Sequence, residues 1–329
     1  MFVVLVTFES LGLQTSLGVV SETLKTHFAE KIEIAPLVVP EWVTREPPEA
    51  NRQRISIARP VDAVIFFERI IDHPSLAAAR HRILIPNPER LAPQALDLAA
   101  RLTEIWHKTR VSVAPLTKAL PDLRHTYIGF TSPDFSGNNP DFNRFIHFKG
   151  SSPQKQSEIV MAAWRIHPEW PELNVQSYVR DSAFLDFPEW LRWRNIRMKY
   201  CMLPPDQYRS EVTQAGVHLC PSSVEGFGHY INEARSMGAL VVTTDAPPMN
   251  ELIDGTCGIL VAPARTEPQN FAVRHIVDVA GFEKAIQIVL DMPIERRKAL
   301  GAEARRRYLT DRERFQTVLT DQVRRLAQS

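Results

Sequence analysis

The chain has 329 residues, 44% of them apolar and 23% charged, with a formal net charge of +1. That length suits two domains, each large enough for its own core, and the near-zero charge gives no electrostatic reason to expect nucleic acid as the main partner. Only three cysteines occur (Cys201, Cys220 and Cys257), without metal-ligand spacing, so a disulfide framework is excluded and a reducing, cytoplasmic setting is the natural reading.

Residues 1–8 are apolar, end at Glu9 and carry no basic residue ahead. They are too short for a signal peptide or a membrane span and read as a first buried strand. Leu13, Leu17, Val20 and Leu24 then recur at helical spacing. Further strands are expected at 32–39, 61–67 and 82–86, with 127–130 as the last of a first domain. These are continuous apolar runs rather than alternating ones, as in a parallel sheet covered on both faces. Residues 131–140 are rich in Pro, Ser, Gly, Asn and Asp and read as a linker. Strands are expected again at 145–148, 175–179, 196–200, 217–220, 240–244 and 258–261, with mostly helix after 276. Strand–helix alternation of this kind implies a doubly wound α/β fold with right-handed crossovers. No internal repeat of solenoid period is present.

The densest chemical signal runs from Cys220 to Ala234. An apolar strand ends, Pro221 and Ser222 turn the chain, and Gly226-Phe227-Gly228 opens a helical pattern with Glu225 before it and Glu233 within it. A helix start offers unpaired N–H groups and partial positive charge, and glycine lets a phosphate approach the backbone. A carboxylate accepts two sugar hydroxyls in charge-assisted hydrogen bonds. Eight residues of helix rise roughly 12 Å, the scale from a hexose past a diphosphate to a ribose. Two glutamates at this separation are common by chance, and most such pairs are solvated.

A second candidate is Phe148-Lys149-Gly150-Ser151-Ser152-Pro153-Gln154-Lys155. A strand ends, small residues turn, and a helix is expected from about Pro153. Lys155 then falls in the first helical turn, where a cation opposes the dipole unless an anion binds there. Taken alone, the two lysines are also consistent with an ordinary solvated surface.

Pro221, Ser222, Glu225, Gly226, Phe227, Gly228, Glu233, Ala234 and Gly238 together resemble the signature of retaining GT-B glycosyltransferases of the Glu-x7-Glu family (glycosyl transferases group 1, family 4 type). The resemblance is good across the C-terminal half and weak across the first 125 residues. It implies a GT-B fold: two Rossmann-like domains facing across a cleft. Residues 1–130 would be the acceptor-side domain, 131–143 the linker and 144–300 the nucleotide-sugar domain. Residues 301–329 would be a helix returning to the first domain through Phe315, Val318 and Leu319.

By the same resemblance, Lys149 and Lys155 would hold the diphosphate, Glu225 the sugar and Glu233 the ribose. Ser222, Gly226, Phe227 and Gly228 would line the donor site. Leu203, with Pro204 and Tyr208, would precede a helix near the nucleobase. Gly12 would sit on the first strand–helix turn, facing donor phosphate and acceptor. The activity implied is sugar transfer from a nucleotide-diphosphate sugar to an unidentified glycan, lipid or small-molecule acceptor, with retained configuration. No metal and no further cofactor are expected.

The relatives place a histidine from the first domain at the active site, for which His73, His81 and His107 are candidates without motif context. Glu251 has either a site role or a helix-start role. Trp164, Trp170, Trp190 and Trp193 stack on sugars or pack a core. The arginine-rich final helices form a solvated face or touch an anionic membrane or an acidic glycan. Two other functional classes are compatible with parts of the chain. One is a GT-B protein that binds sugar nucleotide with little transfer. The other is a Rossmann oxidoreductase, against which the first turn lacks Gly-x-Gly-x-x-Gly.

Overall fold

A computed structural model describes residues 1–28, 31–40, 57, 59–137, 139–178 and 194–329. Asn138 of the expected linker, Val179 of an expected strand, and Trp190 and Trp193 lie outside the described residues. The chain forms two compact units. One comprises Met1–Pro133, Pro268–Ala272 and Asp311–Ser329; the other comprises Asp134–Glu267 and Val273–Thr310.

In the first unit the elements follow as β1 (Phe2–Phe8), α1 (Leu11–Phe28), β2 (Glu33–Val39), β3 (Ala63–Glu68), α2 (Pro74–Ala77), β4 (His81–Pro86), α3 (Leu96–Ala99), β5 (Glu104–His107), α4 (Val113–Ala119) and β6 (Arg124–Tyr127). The strands form one sheet in the order β2-β1-β3-β4-β5-β6, paired in parallel. Val3 to Phe8 of β1 and all of β3 are buried, which a strand covered on both faces requires. Leu13, Val20 and Leu24 of α1 are buried and Leu17 is half-buried, so the helical stripe faces the interior.

Two strands differ from expectation. The last strand is Arg124–Tyr127 rather than 127–130, and β5 was not anticipated. β6 is an edge strand, only half-buried, so it needs no continuous apolar run. In β5, Glu104 and His107 are buried among apolar neighbours. Glu104 accepts from Trp106 Nε1 at 3.0 Å and pairs with Arg325 at 2.5 Å.

The second unit contains β7 (Asp141–Gly150), α5 (Ser157–Ile166), β8 (Leu173–Ser177), β9 (Ile196–Tyr200), α6 (Pro205–Gln214), β10 (Ala215–Cys220), α7 (His229–Ser236), β11 (Leu240–Thr244), α8 (Met249–Leu252) and β12 (Ile259–Val261). β13 (Arg265–Gln269) and β14 (Ala272–Ile276) make a separate two-stranded sheet, also not anticipated. α9 (Val279–Asp291) and α10 (Ile294–Gln328) complete the chain.

The main sheet runs β12-β11-β10-β7-β8-β9, again parallel. Chain order reverses between β7 and β10, which is the topological switch point of a Rossmann sheet. Under the sheet, Phe145, Leu173, Val217 and Leu219 pack with Trp164, Trp170, Phe282 and Ile286. Trp164 and Trp170 meet edge to face at 4.9 Å, so both belong to this core.

The arginines of α10 are largely engaged. Arg305 pairs with Asp134 at 2.7 Å, Arg306 with Glu303 at 2.6 Å, Arg307 with Asp254 at 2.6 Å and Arg324 with Asp321 at 2.8 Å. Arg297 donates to the Phe142 carbonyl at 2.8 Å. In the first unit, Phe315 and Leu319 of the same helix are buried and Val318 is half-buried. Phe315 packs against Phe130 at 5.0 Å. Among the described residues, no helix is long and apolar enough to cross a membrane.

Candidate donor site in the second unit

Ligands of open α/β sheets sit outside the carboxyl ends of the strands at the switch point. Here that point lies between the ends of β7 and β10. β7 ends on Lys149 and Gly150, and β10 ends on Cys220. The chain after each strand carries the remaining charged candidates.

The segment after β7 differs from expectation. Pro153–Lys155 forms a short 3₁₀ turn, Gln156 follows in the left-handed region at φ +49°, and α5 begins only at Ser157. Lys155 is therefore placed by a turn and not by the first turn of an α-helix. Ser152 Oγ accepts from the Gln154 N–H at 3.3 Å and shapes the entry. The side chain of Gln156 then ties three main-chain groups: Nε2 donates to the Pro221 carbonyl at 2.7 Å and the His275 carbonyl at 3.3 Å, and Oε1 accepts from Val277 N–H at 3.0 Å. The Ser223 N–H donates to the Gln154 carbonyl at 2.7 Å. The loop bearing Lys155 and the loop bearing Glu225 are thus knitted together through main-chain groups.

His147 strengthens the same junction from below. It is fully buried in β7, and its Nδ1 lies 2.8 Å from the Leu219 carbonyl, which only accepts. Nδ1 is therefore the protonated nitrogen, and Nε2 accepts from Ser157 Oγ at 2.7 Å. Burial lowers its pKa to about 4, and the Lys155 and Lys149 ammonium groups add to that effect.

Lys155 Nζ donates to the Phe148 carbonyl at 2.8 Å and stands 4.2 Å over the Tyr230 ring. Burial lowers its pKa, opposed by Glu225 first and, more weakly, by Glu233. Both carboxylates therefore act on the same ammonium group. Lys149 is buried at the end of β7.

On the β10 side, Glu225 is half-buried and accepts from Ser222 Oγ at 2.6 Å. Ser222 itself is fully buried, and its hydroxyl is engaged by Glu225 and by the Tyr230 hydroxyl. Its role in the folded chain is to hold Glu225. Gly228 caps α7 with φ +99°, a backbone state that favours glycine. Gly226 and Phe227 are buried, and the Phe227 ring meets His229 edge on at 5.3 Å. The Phe227 ring is part of the packing, which leaves its backbone as the part able to meet a ligand.

Glu233 lies in the second turn of α7, buried, and accepts from the Tyr208 hydroxyl at 2.7 Å. Burial raises its pKa, while Tyr208 and Lys155 pull it down. Tyr208 belongs to α6 rather than preceding it, and its ring packs edge on against Phe148 at 5.0 Å. Leu203 is half-buried in the turn before α6. Sequence reading gave no particular role to Tyr230 or Gln156. Tyr230 had one available signal, its place three residues before Glu233 on the same helical face; Gln156 had none.

Gly12 differs from expectation. It lies inside the first turn of α1, exposed, and a Cβ there would meet nothing within 4 Å. Each of the three histidine candidates has a partner within the first unit. His73 Nδ1 accepts from the Ser75 N–H at 3.3 Å as the cap of α2. His107 is buried and bonded to His125 and Ser112, each at 2.9 Å. His81 is half-buried, with Nε2 3.4 Å from Ser329 Oγ. Glu251 lies in α8, half-buried. Among the described residues no group of three or more His, Cys, Asp or Glu side chains is placed to hold a metal ion.

What the arrangement offers is Lys155 within electrostatic reach of Glu225 and Glu233, with Lys149 at the end of β7 and the start of α7 following β10. Residues 192–278 match the family model for glycosyl transferases group 1. The match takes in Glu225, Gly226, Phe227, Gly228 and Glu233 but begins after both lysines. The fold is GT-B. Sucrose-phosphate synthase from Thermosynechococcus elongatus superposes with a TM-score of 0.76 at 12% identity, covering 100% of both chains. Anabaena HepE in complex with UDP and glucose superposes with a TM-score of 0.67 at 14% identity, covering 100% of both chains. An E. coli structure described as trehalose-6-phosphate bound with UDP-2-fluoro glucose gives a TM-score of 0.67 at 10% identity, covering 100% of this chain and 99% of that one. No curated protein sequence matches the chain.

Proposed function

We propose that the protein is a glycosyltransferase that moves a sugar from a nucleotide-diphosphate sugar to an acceptor. The observation that carries this reading is the convergence of Lys155 with Glu225 and Glu233 beside the ends of β7 and β10. The group 1 family match and the GT-B neighbours solved with UDP or a UDP-sugar support it.

In this reading the pyrophosphate lies against Lys149, Lys155 and the amides at the start of α7. Cleavage of the bond from the anomeric carbon sends its electron pair to the pyrophosphate oxygen. Preorganised positive charge stabilises the leaving group without reorganisation at the moment of reaction. Glu225 accepts sugar hydroxyls and favours the positive ring, and Glu233 accepts from the ribose. Transfer is retaining in this proposal, as the resemblance to the Glu-x7-Glu family implies, and independent of metal, because the lysines meet the leaving group's charge. The acceptor hydroxyl attacks the same face, and its proton passes to the departing phosphate. The setting is cytoplasmic, in keeping with three unpaired cysteines.

The test is a thermal-shift screen of UDP-, GDP- and ADP-sugars, followed by release of nucleoside diphosphate with and without acceptor extracts. A bound donor raises the melting temperature by mass action. Acceptor-dependent release supports transfer. Binding without release identifies a sugar-nucleotide binder, and no shift with any donor overturns the assignment.

A further inference from the structure

Tyr230 is the second residue of α7, buried, and is linked to two charged groups of the candidate site, Lys155 directly and Glu225 through Ser222. Its ring lies 4.2 Å beneath the Lys155 ammonium. Its hydroxyl is hydrogen-bonded to Ser222 Oγ. Ser222 has one proton, and it goes to Glu225 Oε1 at 2.6 Å. The Tyr230 hydroxyl is therefore the donor to Ser222, and the chain of donors runs Tyr230 to Ser222 to Glu225. One carboxylate oxygen of Glu225 is anchored by this chain. A cation over an aromatic face is attracted by the ring, more strongly when it is desolvated. The same side chain thus sets the height of Lys155 and the rotation of Glu225.

Resting on the donor-site reading above, we infer that Tyr230 is a positioning residue that aligns the sugar-holding carboxylate through its hydroxyl and the diphosphate-holding lysine through its ring. The two contributions separate by atom. Tyr230→Phe keeps the ring under Lys155 and removes the donor to Ser222. Ser222→Ala breaks the same chain one link later. Tyr230→Leu removes both hydroxyl and ring.

The test compares binding of a nucleoside diphosphate with binding of its sugar nucleotide by calorimetry. The probes are UDP with UDP-glucose, GDP with GDP-mannose, and ADP with ADP-glucose, using the pair that the unmodified protein binds. Tyr230→Phe and Ser222→Ala should weaken the sugar nucleotide at least fivefold while the diphosphate stays within twofold. Tyr230→Leu should weaken the diphosphate at least fivefold as well. A merely structural residue would lower both affinities together in Tyr230→Phe. That result, or no change in either, overturns the inference. Thermal melts check folding, and if Tyr230→Leu does not fold, Tyr230→Phe and Ser222→Ala decide the question alone. Failure of the unmodified protein to bind any pair overturns the donor-site reading itself, and is seen before any variant is made.

Discussion

The Tyr208 hydroxyl donates to Glu233 Oε2 at 2.7 Å, joining the middle of α6 to the second turn of α7. Burial holds the Tyr208 hydroxyl well above its usual pKa, so it stays protonated and remains a donor. Glu233 is thereby left with one oxygen committed to the protein.

This bond predicts a shift in the pH dependence of nucleotide binding. In the proposed site Glu233 accepts ribose hydroxyls as the ionised carboxylate, so affinity is expected to fall as pH drops through its raised pKa. Tyr208 lowers that pKa, and Tyr208→Phe removes the effect. The acid limb of UDP binding should move to higher pH in Tyr208→Phe, with affinity at neutral pH reduced several-fold. Calorimetric titration from pH 5 to 8 checks it; superimposable profiles would refute the coupling.

Removal of the charged groups should reduce turnover far more than stability. Glu225→Ala and Lys155→Ala should each lower donor turnover by about 10²–10³, as when one transition-state donor is lost. The rate of nucleoside diphosphate release, measured beside the thermal melt, tests this. Near-normal turnover in both variants would remove these residues from the mechanism.

Gln156 combines a left-handed backbone with three side-chain hydrogen bonds to main-chain groups. Gln156→Ala forfeits the bonds and keeps the backbone cost, whereas Gln156→Gly forfeits the bonds and relieves it. Both should destabilise, and glycine should be the more stable variant by about 1 kcal/mol. Urea unfolding of the two variants gives the difference directly. Alanine equal to or better than glycine would show that backbone strain is not stored there.

Three buried histidines predict acid sensitivity in a defined window. His107, His147 and His218 are each held neutral by burial, with pKa values of about 4 against an ordinary 6.5. Above 6.5 both folded and unfolded chains are neutral at these sites, and the full stability is present. Between 6.5 and 4 the unfolded chain binds protons that the folded chain refuses, so stability falls with pH. Each site costs on the order of 3 kcal/mol once the window is crossed. Asp254, held at about 2 with the help of Thr256 and Arg307, acts only below this range. Chemical unfolding at pH 7, 6, 5 and 4.5 should show a steady decline. A flat profile down to 4.5 would contradict the burial of these rings.

Much of the fold was legible because parallel strands buried on both faces are written as apolar runs. The strands at 2–8, 196–200 and 240–244 coincide in bounds with β1, β9 and β11. β5 was missed because only Ile105 and Trp106 are apolar between Glu104 and His107, too short a run to read as a strand. Glu104 is nonetheless buried, since Arg325 arrives from more than two hundred residues away. A partner that remote leaves no local trace. Lys155 was assigned to a helix because Pro153 is a common first helical residue. The structure uses that proline to start a 3₁₀ turn, and the left-handed Gln156 delays the helix.

The sequence by itself determined which residues end the strands and open α7, because apolar period, proline and glycine act on the chain locally. It was the family resemblance carried by those residues that joined Lys149, Lys155, Glu225, Gly228 and Glu233 into one set of candidates. Only the tertiary structure decided how they are held: Tyr230 between Lys155 and Glu225, Tyr208 on Glu233, and Gln156 across two loops. Those contacts join strands that are neighbours in the sheet but far apart along the chain. Hydrogen bonds and ring contacts of that kind depend on distances set by the parallel crossover, and no local pattern encodes them.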